Sequence, residues 1–193
     1  MTRPVVTLIG LMGAGKSKVG RRAADALGRP FVDTDRVVEQ TAGMTVADIF
    51  DTEGEQAFRT RERDAIVEAL AREGAIVSVG GGAVLDPDNV ARMRAAGDVV
   101  WLYAEPETLA ARLRRSLRRG DRPLLAGTEP VAALRDLLDR RRQAYAAAAT
   151  VTLRTDGMEV PESVRLLTDW IREHASAQPP VQTRLRPADG AAR

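Results

Sequence analysis

Lys16 and Ser17 close the stretch Gly10-Leu11-Met12-Gly13-Ala14-Gly15-Lys16-Ser17, which fits the pattern G-x-x-x-x-G-K-[ST]. Glycines at this spacing let backbone N–H groups turn inward around phosphate oxygens. A helix beginning at the lysine adds unpaired donors and a positive dipole end. The lysine ammonium would reach the outer phosphates, and the Ser17 hydroxyl would sit on Mg²⁺. The motif therefore points to a nucleoside triphosphate held by Gly13, Ala14, Gly15, Lys16, Ser17 and Lys18. Lys16 and Lys18 are the only lysines in a chain whose other basic residues are arginine or a single histidine. A composition so biased keeps lysine where a compact ammonium is wanted.

Three further groups carry chemistry. Asp33 and Asp35 flank Thr34. A phosphate-bound Mg²⁺ takes a second carboxylate, and Asp33 is the candidate, acting through water. Asp35 alternates with it and would face a second substrate, orienting a hydroxyl or taking its proton. Arg59 is three residues before Glu62, a spacing at which the two can pair on one helix face. Between 112 and 122 stand six arginines (112, 114, 115, 118, 119 and 122), with Gly120 and Gly127 nearby. This reads as a mobile basic lid over about 112–127, able to close on phosphates and exclude water.

The elements that must position these groups follow from periodicity and punctuation. Val5–Ile9 is an apolar strand. Lys16–Leu27 is a helix with Val19, Ala23, Ala26 and Leu27 on one face, stopped at Gly28-Arg29-Pro30. Phe31–Asp33 is a short strand. Residues 36–50 are helical with a break at Gly43 and Thr45 as a cap, and 53–72 form a long helix. Residues 75–79 make a buried strand that runs into Gly80-Gly81-Gly82. Helices at 87–96, 106–117, 129–148 and 161–174 alternate with strands at 98–103 and 150–153. Strand–helix alternation implies a parallel sheet with right-handed crossovers, and such sheets bind ligands beyond their carboxyl ends. The P-loop, Asp33 and Asp35, and Gly80–Gly82 all fall there.

Composition narrows the class. With 193 residues, 44% of them hydrophobic, the chain is long enough for one α/β domain with a full core. No cysteine and one histidine, His174, exclude a thiolate zinc site and a histidine-rich metal site. A net charge of +2 does not argue for nucleic acid, and the arginine cluster lacks interleaved aromatics. No run is long enough to span a bilayer. The expectation is a cytoplasmic, monomeric protein with one domain over 1–174. Residues 175–193, with three prolines and no apolar periodicity, read as a disordered tail.

Taken together, these residues resemble the shikimate kinase family. The resemblance covers residues 5–174 and rests on a set of motifs in order: Gly10–Ser17, Asp33-Thr34-Asp35, Ile49-Phe50 with Gly54-Glu55, Phe58-Arg59, Gly80–Gly82, and Arg122-Pro123-Leu124-Leu125. It implies transfer of the γ-phosphate of ATP to the 3-hydroxyl of shikimate, on the route to chorismate and the aromatic amino acids. By this resemblance Asp35 contacts the substrate hydroxyls and acts as base, with Lys16 and Arg122 at the transferring phosphate. Arg59, Arg141 and the Gly80, Gly81 and Gly82 amides hold shikimate. Arg115 lies near adenine. The fold implied is a nucleoside-monophosphate-kinase-like sheet of strand order 2-3-1-4-5 with helices on both faces. Lys18 stands where the family usually has threonine. Gln143 stands in place of proline in Arg141-Arg142-Gln143-Ala144-Tyr145, which leaves Arg141 favoured by its spacing to Tyr145 and Arg142 a rival.

Other readings of the same P-loop are a gluconate kinase, a nucleoside monophosphate kinase and a GTPase-like switch. Asp51-Thr52-Glu53-Gly54 matches the D-x-x-G of a switch, but it falls in a helical stretch, and no Asn-Lys-x-Asp follows for guanine.

Overall fold

The structure is a computed structural model. It describes residues 3–118 and 129–174, with the side chains of 115–118 left aside. The loop part of the expected lid with Arg122, and the tail at 175–193, lie outside the described residues.

Five parallel strands form one sheet in the order β2-β3-β1-β4-β5. They are β1 (Val5–Ile9), β2 (Phe31–Asp33), β3 (Ile76–Ser78), β4 (Gly97–Tyr103) and β5 (Val151–Arg154). The helices are α1 (Lys16–Leu27), α2 (Thr34–Ala42), α3 (Val46–Thr52), α4 (Gly54–Leu70), α5 (Pro87–Ala96), α6 (Pro106–Arg118), α7 (Pro130–Ala148) and α8 (Val160–His174). A single turn of 3-10 helix, Ala83–Leu85, follows the triple glycine.

β1 lies in the middle, paired with β3 through Val6↔Ile76 and with β4 through Ile9↔Trp101. Every residue of β1 is buried, as a central parallel strand requires. Leu8 and Ile9 point to opposite faces. Leu8 meets α1 at Gly20, where a Cβ would come within 2.7 Å of the leucine methyl and 2.8 Å of the Phe31 ring. On the other face Trp101, beside Ile9 in register, stacks on Tyr145 of α7. Helices therefore cover both faces, α1 on one and α7 on the other, and α8 packs alongside α1.

Between β2 and β3 the chain builds a subsidiary core. Val38, Ile49, Phe58 and Ala65 are buried together, with Met44, Val46 and Phe50 packed against them. Thr45 starts α3 with a reciprocal capping box, its hydroxyl accepting from the Asp48 N–H at 3.1 Å while the Asp48 carboxylate accepts from the Thr45 N–H at 3.2 Å.

Three details differ from the periodicity. The buried stripe of α1 runs through Val19, Gly20, Ala23 and Ala24, leaving Ala26 exposed, on a helix that packs against α8 as well as the sheet. Asp35 lies in the first turn of α2 rather than on an extended alternation with Asp33. Helix α6 runs to Arg118, one residue past the expected end at 117, so Arg112, Arg114 and Arg115 stand on the expected helix where it overlaps the start of the expected lid.

Candidate active site

The P-loop joins β1 to α1 at the carboxyl edge of the sheet. Gly13 has φ +82° and Gly15 φ +95°, a backbone region costly to residues with a Cβ. Gly15 is the N-cap of α1 and offers no side-chain cap, which leaves the helix start open to a ligand. Lys16 lies back over its own loop, its Nζ donating to the Gly10 carbonyl at 2.8 Å and the Leu11 carbonyl at 3.2 Å. Ser17 Oγ stands 3.5 Å from Ser78 Oγ at the end of β3.

These residues open onto a cleft of about 590 Å³. Gly13, Ala14, Gly15, Lys16, Ser17, Lys18, Asp35, Arg59, Gly80, Gly81, Gly82 and Arg141 all line it. Asp33 is buried at the end of β2 and does not line the cleft. It occupies the N-cap position of α2 without a side-chain cap bond, so its carboxylate is not spent on capping.

Each glycine of the triple makes room for a charged or polar side chain. A Cβ on Gly80 would fall 2.4 Å from Glu62 Oε1 and 3.0 Å from Asp35 Oδ1. One on Gly81 would lie 3.5 Å from the Tyr145 hydroxyl and 3.6 Å from Arg141 Nη1. One on Gly82 would lie 2.5 Å from Arg59 Nη2. The triple glycine is thus the floor around which Asp35, Glu62, Arg59 and Arg141 converge.

The electrostatics follow. Burial pushes the Asp35 carboxyl up to about 6, Asp33 adding to the rise and Lys16 opposing it. At neutral pH it is mostly ionised, yet basic enough to take a proton. Glu62 is 1% exposed, and burial raises its carboxyl despite a 2.6 Å bond from Arg59 Nη1. Arg59 also pairs with Glu55 at 3.0 Å.

Arg141 and Arg142 separate cleanly. Arg141 faces the cleft and donates to the Gly81 carbonyl at 3.1 Å. Arg142 turns outward, 3.8 Å from Asp139 and over the Tyr103 ring. Gln143, which has the N–H a proline lacks, stands inside an unbroken α7.

The sequence reading did not single out Glu62 as a site residue, nor the second wall. Glu62 falls on the buried face of α4 with Phe58, Ala65, Ile66 and Ala69. A glutamate inside an apolar stripe is the signal that marks it. The second wall is Arg112 and Leu113 with Met158, Glu159, Val160 and Ser163. Arg112 is fixed there, Nη1 donating to Thr155 Oγ1 at 3.0 Å and Nη2 to the Thr155 and Met158 carbonyls at 2.5 Å and 3.3 Å. Nothing in the local pattern pairs 112 with 155, because the contact spans two helices and a strand.

The model of the shikimate kinase family matches residues 12–172. The chain belongs to the shikimate kinase family. It is 48% identical over 169 residues to a shikimate kinase of Symbiobacterium thermophilum, covering 87% of this chain and 96% of that enzyme. It is 40% identical over 174 residues to one from Thermus thermophilus, covering 90% and 92%. A solved shikimate kinase from Acinetobacter baumannii in complex with shikimate superposes with TM-score 0.82 at 37% identity, over 89% of this chain and 94% of that one. A gluconokinase from Sinorhizobium meliloti superposes at TM-score 0.53 and 20% identity, a likeness of fold alone. Among the described residues no helix is long and apolar enough to cross a membrane.

Proposed function

We propose that this chain transfers the γ-phosphate of ATP to the 3-hydroxyl of shikimate, supplying shikimate 3-phosphate for chorismate and aromatic amino acid synthesis. The observation that carries the reading is the convergence of Asp35, Arg59, Gly80–Gly82 and Arg141 beside a P-loop in one cleft. Two arginines on the cleft wall suit a ring carboxylate, since each guanidinium is a planar fork. Asp35, beside Gly80, suits a hydroxyl.

Lys16 and the open start of α1 hold the phosphates. The wall of Arg112, Met158 and Val160 is left for the nucleoside once phosphates and shikimate are placed. With both bound, the 3-hydroxyl oxygen attacks the γ-phosphorus. The bond from that phosphorus to the bridging oxygen breaks, ADP leaves, and the hydroxyl proton passes to the Asp35 carboxylate. Arg122 and Arg115 are assigned to the phosphates and the adenine by family likeness.

Ser17 and Asp33 would hold Mg²⁺. The donors are a hydroxyl and a carboxylate, the oxygen ligands a hard cation takes, and Asp33 set back from the cleft suits contact through water. When bound, the ion neutralises charge on the β- and γ-phosphates. We take the enzyme as a cytoplasmic monomer of one domain over 1–174, acting on small molecules without nucleic acid or membrane. A net charge of only +2 supports the absence of nucleic acid among its partners.

The test is ADP release from Mg-ATP with shikimate, gluconate or a nucleoside monophosphate as acceptor. Stimulation by shikimate alone is expected. Stimulation by gluconate or a nucleotide instead would overturn the substrate and leave the P-loop chemistry standing.

A further inference from the structure

Tyr145 heads the fully buried side chains by size, yet its hydroxyl ends on the site rather than in the core. It donates to the Gly81 carbonyl at 2.6 Å. Arg141, one helical turn earlier on α7, donates to the same oxygen at 3.1 Å. The two lone pairs of this one carbonyl are thus served by two donors from the same helix.

The Tyr145 ring is fixed independently of the site. Trp101 of β4 stacks on it at 5.3 Å between centroids, and Tyr103 abuts Trp101 edge-on at 5.2 Å. Burial pushes the phenol up to about 12, so it remains a donor across the whole working range of pH. The oxygen it holds belongs to the peptide between Gly81 and Gly82. That peptide is trans and planar, so its carbonyl and its N–H point opposite ways. With the carbonyl turned toward α7, the Gly82 N–H turns away from it, on a residue that lines the cleft beside Arg59.

Arg141 has a competing task. A guanidinium binds a carboxylate about twice as strongly as a neutral carbonyl. A substrate carboxylate in the cleft therefore draws Arg141 from Gly81, and a buried carbonyl left without a donor is costly.

We propose that Tyr145 is a positioning residue for shikimate: its hydroxyl keeps the Gly81 carbonyl in place when the substrate carboxylate takes Arg141, so the glycine floor holds its shape on binding. The inference rests on the reading of Arg141 and Gly80–Gly82 as shikimate-holding groups. It places part of shikimate affinity in a side chain that does not touch shikimate.

The test compares Tyr145→Phe, Arg141→Ala, their double variant and Arg59→Ala, with KM for each substrate, kcat and Tm. Tyr145→Phe keeps the ring and its stack on Trp101, so the fold stands. The shikimate KM is expected to rise about threefold to tenfold, the worth of one neutral hydrogen bond. The ATP KM stays near its original value. In the double variant the two changes are expected to be non-additive. Without Arg141 there is no donor to draw away, so losing the hydroxyl affects free and bound enzyme alike. Parallel rises in both KM values with a lowered Tm would make the hydroxyl merely structural and overturn the proposal, as would additivity in the double variant. An unchanged shikimate KM in Tyr145→Phe, with a raised one in Arg59→Ala, would overturn it and leave the site reading intact. No rise in Arg59→Ala or Arg141→Ala would overturn the site reading itself.

Discussion

Arg59 Nη1 lies 2.6 Å from Glu62 Oε2 within α4, and the two partners differ in access to water: the arginine side chain is 25% exposed and the glutamate 2%. Loss of either is therefore not equivalent. Glu62→Gln leaves an arginine that water and Glu55 can still serve. Arg59→Ala leaves a buried carboxylate whose Oε1 already has no hydrogen-bond partner among the described residues. Burial raises the Glu62 carboxyl, so the ionised form is the costly one, and its cost grows as pH rises through the folded titration. Arg59→Ala is expected to lower stability by about 1–3 kcal/mol at pH 8 and by less at pH 5. Glu62→Gln is expected to lower it less at either pH. Urea unfolding at the two pH values checks this, and a larger loss for Glu62→Gln would refute it. Both variants raise the shikimate KM, Arg59→Ala the more.

Asp35 couples function to stability in the same sense as Glu62. Its carboxyl titrates near 3.8 when unfolded and about 6 when folded, because burial and Asp33 oppose its charge. The folded state binds the extra proton between those values, so stability falls as pH rises through that window and the loss is complete above about 6. Asp35→Asn removes the charge. It is expected to raise Tm at pH 8 and to change it little at pH 4, while turnover drops about 100-fold or more. In the parent enzyme kcat/KM for shikimate falls as pH drops through about 6. Thermal melts of both proteins at the two pH values, beside a pH–rate profile, check both halves. A variant of normal turnover would remove Asp35 from the role of base.

How far the chain's letters reached is clearest at the strand ends. Periodicity and glycines placed the P-loop, Asp35 and Gly80–Gly82 on one edge of a parallel sheet, because in such a fold every strand delivers its last residue to the same side. Thr45 was legible as a cap, since capping depends on three neighbouring residues. Arg112 was not legible as a wall of the cleft, because its partners at Thr155 and Met158 meet it only through tertiary packing. Spacing to Tyr145 favoured Arg141 but left Arg142 a rival. The two are adjacent on a helix, about 100° apart, and only the sheet position under α7 decides which faces in.

Lys16 is expected to serve phosphate rather than the loop. Its ammonium rests on two neutral carbonyls, Gly10 and Leu11, which a phosphate outbids. Lys16→Met keeps most of the side-chain length and removes the charge. Turnover is expected to fall about 100-fold or more, with Tm nearly unchanged. A steady-state assay with a thermal melt checks it, and an unaltered ATP KM and rate would dismiss the P-loop assignment.

The split between Arg141 and Arg142 is testable as a pair. Arg141→Ala is expected to raise the shikimate KM about 10- to 100-fold, the worth of a charge-assisted fork. Arg142→Ala removes only a 3.8 Å surface pair with Asp139 and a cation above Tyr103, and is expected to leave both KM values within about twofold. The reverse pattern would hand the carboxylate to Arg142.

Two glycines separate what the site needs from what the sheet needs. A methyl at Gly82 would fall 2.5 Å from Arg59 Nη2, the far end of a flexible side chain. Arg59 gives way at some cost to its pair with Glu62, and Gly82→Ala is expected to fold with a smaller loss of Tm than Arg59→Ala while the shikimate KM rises. A methyl at Gly97 would fall 2.1 Å from the Val5 carbonyl oxygen, at φ +155°. That oxygen belongs to the first rung of the β1–β4 ladder, where Val5 pairs with Gly97, and backbone cannot swing aside as a guanidinium can. Gly97→Ala is therefore expected to cost about 1–3 kcal/mol of stability, with the KM values of the folded fraction unchanged. Chemical unfolding and substrate kinetics on the two variants read the two effects separately. If Gly82→Ala lost stability and Gly97→Ala lost shikimate affinity, the assignment of one glycine to the cleft and the other to the ladder would be reversed.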